Sequence, residues 1–252
     1  MRGVFFGANA RLAEIINRSV VINKIIVERK AYTAELYDYA VYIGASFHCV
    51  DSDKDIPRLV DSSEIGISCG FGVIFSENTI SKFAHGIMNI HFGDLPKYRS
   101  RHPITWAMVN GEHEIGVTFH KINNQIDAGQ LVHKYYVEKS FFDTLDDLER
   151  KIMSRMPIEF PVASNLLKQS NFETLKMGVY YPRVDQHFNC VDPSTLSYSQ
   201  LASLFMSQRI YGGVKIFNKN MTECHVYNQE FPEFYQGYTL YKCADGILVG
   251  LK

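Results

Sequence analysis

NIHFGDLPKYRSRHPITWAMVNGEHEIGVTFHKINNQIDAG, residues 89–129, contains two short apolar segments that each run into a polar loop. In the first, Asn89 and His91 stand two apart, and side chains two apart on a strand share a face. An amide beside an imidazole offers a hydrogen-bond donor and a group that exchanges protons near neutral pH, which attack on a carbonyl carbon requires. The same spacing recurs in GVTFHKI, where Thr118 precedes His120. Asp127 follows in NNQIDAG, and Gly129 permits a tight backbone before the strand-like QLVHKYYV. A carboxylate at that point can orient an imidazole and hold its charged form.

Outward from this stretch, strands and helices alternate. GVFFGA at 3–8 reads as a buried strand, followed by a helix through Ala10, Leu12, Ala13, Ile15 and Ile16. VINKIIV at 21–27, a helix over 32–44, FHCV at 47–50 and EIGISCGFGVIF at 64–75 continue the series. This predicts an α/β fold, a Rossmann-like, mainly parallel sheet with helices on both faces, whose ligands bind at the carboxyl ends of the strands. The first strand-to-helix turn, Gly7-Ala8-Asn9-Ala10, lacks the three-glycine dinucleotide fingerprint, which argues against a nicotinamide cofactor. It has two readings: a helix terminus that cradles a phosphate with help from Asn9 and Arg11, or simple strand-to-helix packing. Beyond the second motif, residues 142–168 read as a helix capped by Thr144, with Leu145, Leu148 and Ile152 on one face and a bend or break at Pro157 and Pro161. The ring-rich segment 177–188 leads away from this core; Tyr180, Tyr181 and Arg183 either pack it or face a nucleotide. From about residue 190 a helix centred on Leu201, Leu204 and Phe205 gives way to short strands, with Asp245-Gly246 suited to a hairpin turn. The expected division is a catalytic domain over 1–188 and a small β-rich domain over 189–252.

The whole chain sets outer bounds. Its 252 residues, 46% hydrophobic and 21% charged, suit one large domain or one plus an appendage. No run approaches the ~20 apolar residues of a membrane span, and Asn9, Arg11 and Glu14 interrupt the opening apolar stretch too early for a signal peptide. Five scattered cysteines without CxxC spacing predict neither a disulfide framework nor a metal site, and fit a cytoplasmic protein. A net charge of -1 gives no general attraction for nucleic acid.

Asn89, His91, Leu95, Pro96, Tyr98, Arg99, Pro103, Gly111, Thr118, His120, Asp127 and Gly129 fall in order on the pattern of the formyltransferases that use 10-formyltetrahydrofolate, and the chain resembles that family. It departs from the pattern at Phe92, Gly93 and Asp94, and Ser100 stands where a Gly is usual. The resemblance implies Asn89, His91 and Asp127 as the catalytic set, with His120 and Thr118 in support and no metal. It implies folate against Gly70, Phe71, Gly72, Val73, Ile126 and Asp127, with Asn9, Arg11, Tyr98 and Arg99 as substrate contacts. A short tail and ring-rich loops favour a nucleotide-linked amino sugar as acceptor, the 4-amino-4,6-dideoxyhexose of a bacterial surface glycan. The alternatives are a methionyl-tRNA formyltransferase and a non-catalytic binder of folate or nucleotide sugar. The tail's short strands also suggest a homodimer.

Overall fold

A computed structural model describes residues 2–60, 65–167 and 172–252. Glu64 and Lys168, expected to start a strand and end a helix, lie outside them. The chain forms two compact units. The first comprises the amino-terminal 99 residues with 116–136 and 152–179; the second comprises 100–115, 137–151 and 180–252.

The first unit is built on a sheet of eight strands. In chain order its opening elements are β1 (Arg2–Phe6), α1 (Ala10–Asn17), β2 (Val21–Glu28), α2 (Ala34–Tyr42), β3 (Ser46–Val50), β4 (Ile65–Ser68), α3 (Glu77–Ile80) and β5 (Ile87–His91). The capping residues account for the helix starts: Asn9 Oδ1 accepts from Leu12 N–H, and Thr33 Oγ1 from Leu36 N–H. α4 (Pro103–Val109) belongs to the second unit. β6 (Glu114–Lys121) and β7 (Gln130–Glu138) return to the sheet, α5 (Leu145–Leu166) follows, and β8 (Glu173–Thr174) closes the edge.

The strand order is β3-β2-β1-β4-β5-β6-β7-β8. From β3 to β5 every pairing is parallel, whereas β5 and β6 pair antiparallel. The sheet is therefore mainly parallel, as the alternation of elements implied. The chain leaves β1 toward β2 and later returns on its other side as β4, so the crevice beyond β1 and β4 is a switch point of the kind where ligands bind. Val4, Phe6, Ile26, Val50, Ile56, Val60, Phe75, Phe83 and Ile87 form one buried core cluster of this unit.

α5 runs through Pro157 and Pro161 without the break that is one of the two outcomes expected there. The two prolines lie one turn apart and away from the buried stripe of Met156, Phe160 and Ala163. Pro157 is exposed, and burial of the opposite face outweighs the lost donors.

In the second unit α6 (Val184–His187) and α7 (Tyr198–Gln208) precede β9 (Val214–Ile216), β10 (Lys219–Met221), β11 (Cys224–Val226), β12 (Thr239–Lys242) and β13 (Leu248–Leu251). Ser197 and Gln200 form a capping box at the start of α7. β9 and β10 pair as a ribbon, and β11-β13-β12 make a small antiparallel sheet. Val109 of α4 joins Leu201, Leu204, Val214, Ile216, Val249 and Leu251 in the core of this unit. Trp106 is buried among Tyr181, His187 and Phe188, with ring centroids 4.8, 4.9 and 5.3 Å away, and its indole N–H donates to Pro182 O at 2.9 Å. Tyr181 thus packs the 177–188 segment, and Arg183 pairs with Asp185.

Candidate active site

Strand register brings the first pair of site residues together. Asn89 on β5 lies directly opposite His120 on β6, and His91 lies opposite Thr118. Cross-strand partners share a face, and Asn89 Nδ2 stands 3.1 Å from His120 Nε2. The other imidazole nitrogen of His120, Nδ1, lies 3.1 Å from the carbonyl of Ala128. A carbonyl can only accept, so Nδ1 carries the proton and Nε2 offers its lone pair to the Asn89 amide. This fixes the amide with its NH2 toward His120. Burial, and then the charge of neighbouring His91, push the pKa of His120 down to about 4. His120 is accordingly neutral at pH 7, as its role as an acceptor requires.

His91 is buried at the carboxyl end of β5 and is held differently. Its Nε2–H donates to Tyr98 O at 2.8 Å, which leaves Nδ1 facing Asp127 Oδ1 at 3.6 Å. A second proton on Nδ1 would lie against a carboxylate, so this side of the ring can take up and release a proton. Asp127 is 13% exposed in its side chain and adopts φ 47°, the left-handed region that Asp tolerates better than most residues. Two residues on, Gly129 takes φ 110°, and a Cβ there would stand 2.1 Å from Lys121 O. The loop that presents Asp127 closes this tightly only around glycine.

The remaining expected site residues have varied placements. Thr118 is fully buried; its hydroxyl donates to Gly93 O at 2.7 Å and accepts from Leu95 N–H at 3.1 Å, so it tethers the loop after His91. Tyr98 is buried and faces the site through its carbonyl. Arg99 is also buried and donates through Nε to Ile126 O at 3.1 Å, and through Nη2 to the same atom. Ile126 itself is partly open to solvent. Asn9 is engaged as the cap of α1, and Arg11 is an exposed partner of Glu14. After β4, Gly70 has φ 63° and open space where a Cβ would point, Phe71 stacks on Phe75 with centroids 5.4 Å apart, and Val73 is packed against the core. Gly72 N–H donates to Glu28 Oε1 at 2.6 Å, which ties this loop to the end of β2.

Residue spacing did not disclose a second polar group. Lys134 Nζ donates to Asp94 Oδ1 at 2.6 Å and to Leu95 O, and Tyr136 O–H donates to the same carboxylate oxygen at 3.2 Å. Lys134 and Tyr136 are two apart on β7, the one available sequence signal. Among the described residues, no cluster of three or more metal-ligating side chains occurs, and no helix is long and apolar enough to cross a membrane.

Residues 50–162 match the family described as Formyl transferase. In sequence, the chain is 37% identical over 100 residues to a methionyl-tRNA formyltransferase of Thermotoga neapolitana, a match covering 38% of this chain and 32% of that protein. The chain spans about a third of the length of the curated relatives it matches. In structure, it is similar to an N-formyltransferase from Helicobacter canadensis crystallised with folinic acid and dTDP-3-aminofucose, with a TM-score of 0.71 at 20% identity and 100% and 99% of the two chains covered. A 4-N formyltransferase from Francisella tularensis matches with a TM-score of 0.67 at 18% identity, over 81% of this chain and 87% of that one. Residues 50–162, which hold Asn89, His91, His120 and Asp127, thus carry the similarity to the Formyl transferase family, in a chain that has the formyltransferase fold.

Proposed function

We propose that the protein is a cytoplasmic N-formyltransferase that moves the formyl group of 10-formyltetrahydrofolate to the amino group of a nucleotide-linked sugar. The acceptor is a 4-amino-4,6-dideoxyhexose carried on dTDP or UDP and destined for a bacterial surface glycan. The observation that carries this reading is the pairing of Asn89, oriented by a neutral His120, with His91 backed by Asp127. Similarity along the full chain to sugar N-formyltransferase folds supports a nucleotide-linked amino sugar as the class of acceptor.

The residues present fit a folate. Gly70 leaves open space at the switch point, and Phe71 and the partly exposed Ile126 provide apolar surface for a flat ring. When bound, the folate supplies a formyl group on a nitrogen that must leave with a proton. One N–H of the Asn89 amide is committed to His120; the other makes no hydrogen bond within the described residues and is available to the formyl oxygen as it gains charge. Loss of a donor of this kind costs about 3 kcal/mol, roughly a hundredfold in rate. At its Nδ1 edge His91 takes a proton from the attacking amine and returns it to the departing nitrogen. Asp127 keeps that edge turned inward and stabilises the ring while it is charged.

The test is formyl transfer to a panel of dTDP-, UDP- and GDP-linked amino sugars, read as the mass gain of a formyl group, with Asn89→Ala, His91→Ala and Asp127→Ala in parallel. The variants should fold and lose most transfer. Near-wild-type rates for His91→Ala would overturn the mechanism.

A second reading, formylation of methionyl-tRNA, draws on relatives such as the Thermotoga neapolitana protein. It predicts no turnover with any sugar and a binding to tRNA that weakens steeply with salt.

A further inference from the structure

Arg99 is 7% exposed, and none of its hydrogen-bond partners among the described residues is a carboxylate. Nε and Nη2 both go to the carbonyl of Ile126, while Nη1 reaches Gly178 O at 3.5 Å and Met177 Sδ at 3.8 Å. A buried cation met only by neutral acceptors is costly. Its retention calls for a task that a neutral side chain of similar volume would not perform.

That task is legible in the peptide it holds. The Ile126 carbonyl belongs to the peptide unit that leads into Asp127, and the tilt of that unit sets the φ of 47° at which Asp127 projects. Two donors of one planar fork on one oxygen fix the tilt, and a single ammonium cannot reproduce that geometry. At the same time Tyr98, joined to Arg99 by a peptide bond, accepts the Nε2–H of His91 on its own carbonyl. One dipeptide therefore holds the imidazole through its main chain and the carboxylate loop through its side chain.

We infer that Arg99 is a positioning residue, whose grip on the Ile126 carbonyl sets the Asp127 carboxylate opposite Nδ1 of His91. All three nitrogens of its fork face acceptors of the protein itself. The inference rests on the catalytic reading of His91 and Asp127 above. It adds that their 3.6 Å approach is imposed by Arg99 from outside the pair.

Arg99→Lys keeps the charge and the stem but loses the fork; should it not fold, Arg99→Gln is read in the same way. In a crystal structure of the variant, the separation between His91 Nδ1 and Asp127 Oδ1 should widen beyond ion-pair reach, about 4 Å. The rate of formyl transfer should fall about a hundredfold, as misplacement of a reacting group by about 1 Å does. Combined with Asp127→Asn, the substitution should add no further loss, because both act through one carboxylate. An unchanged separation, or losses that multiply in the double variant, would overturn the inference. Absence of transfer by the wild-type protein would instead defeat the functional reading, and the crystallographic separation would still decide the role of Arg99.

Discussion

His120 predicts a measurable acid weakness. In the unfolded chain an imidazole titrates near 6.5, whereas burial and the neighbouring His91 bring this one to about 4 in the folded protein. Below pH 6.5 the unfolded state takes up a proton that the folded state refuses. The stability contributed by the neutral ring is therefore whole above pH 6.5 and is lost as the pH falls toward 4. The loss amounts to about 2 kcal/mol by pH 5 and about 3 kcal/mol by pH 4. His120→Gln isolates this effect. Glutamine keeps an acceptor for the Asn89 amide but has no group that titrates, and it leaves the Ala128 carbonyl without its donor. At pH 7 the variant should be less stable than wild type by about 1–2 kcal/mol. Urea denaturation of both proteins at pH 7 and pH 5 should then show the variant losing about 2 kcal/mol less on acidification, since other acid-sensitive groups are common to both. Equal losses would refute the argument that His120 is held neutral.

Gly129→Ala places a Cβ 2.1 Å from Lys121 O at a φ of 110°, so the loop must open. The variant should lose several kcal/mol of stability, or formyl transfer where it still folds, by thermal melting and rate assay; wild-type values for both would contradict the tight closure at Asp127. Trp106→Phe leaves Pro182 O without its indole donor and reduces a buried ring cluster. Chemical denaturation should show a cost of about 2–3 kcal/mol.

The sequence disclosed periodicities well and long-range juxtapositions poorly. Asn89 and His91 share a face because strands repeat every two residues, and the α/β alternation before them implied a mainly parallel sheet. Nothing in the spacing told which histidine meets the Asn89 amide; that follows from the antiparallel register of β5 and β6, whose partners are 31 positions apart in the chain. Arg99 is implied in the sequence only as a substrate contact, and only the folded chain brings Ile126, Met177 and Gly178 around it. Asn9 illustrates another limit. An Asn before an apolar helix fits both a phosphate contact and a cap, and its side chain is engaged with Leu12 N–H. Pro157 and Pro161 predicted a break from local propensity alone, which the buried stripe of α5 overrides. The second unit gathers segments from three parts of the chain, an arrangement without a signature in local composition.

Trp106 is the sole indole of the 252 residues and lies in the second unit, whereas Asn89, His91, His120 and Asp127 all lie in the first. Intrinsic fluorescence and the proposed formyl transfer are therefore two spectators seated in different units. Followed together through denaturation, they need no introduced label to distinguish concerted collapse from stepwise loss. Coincident curves would make the two units one cooperative body, and separated curves would rank them by stability.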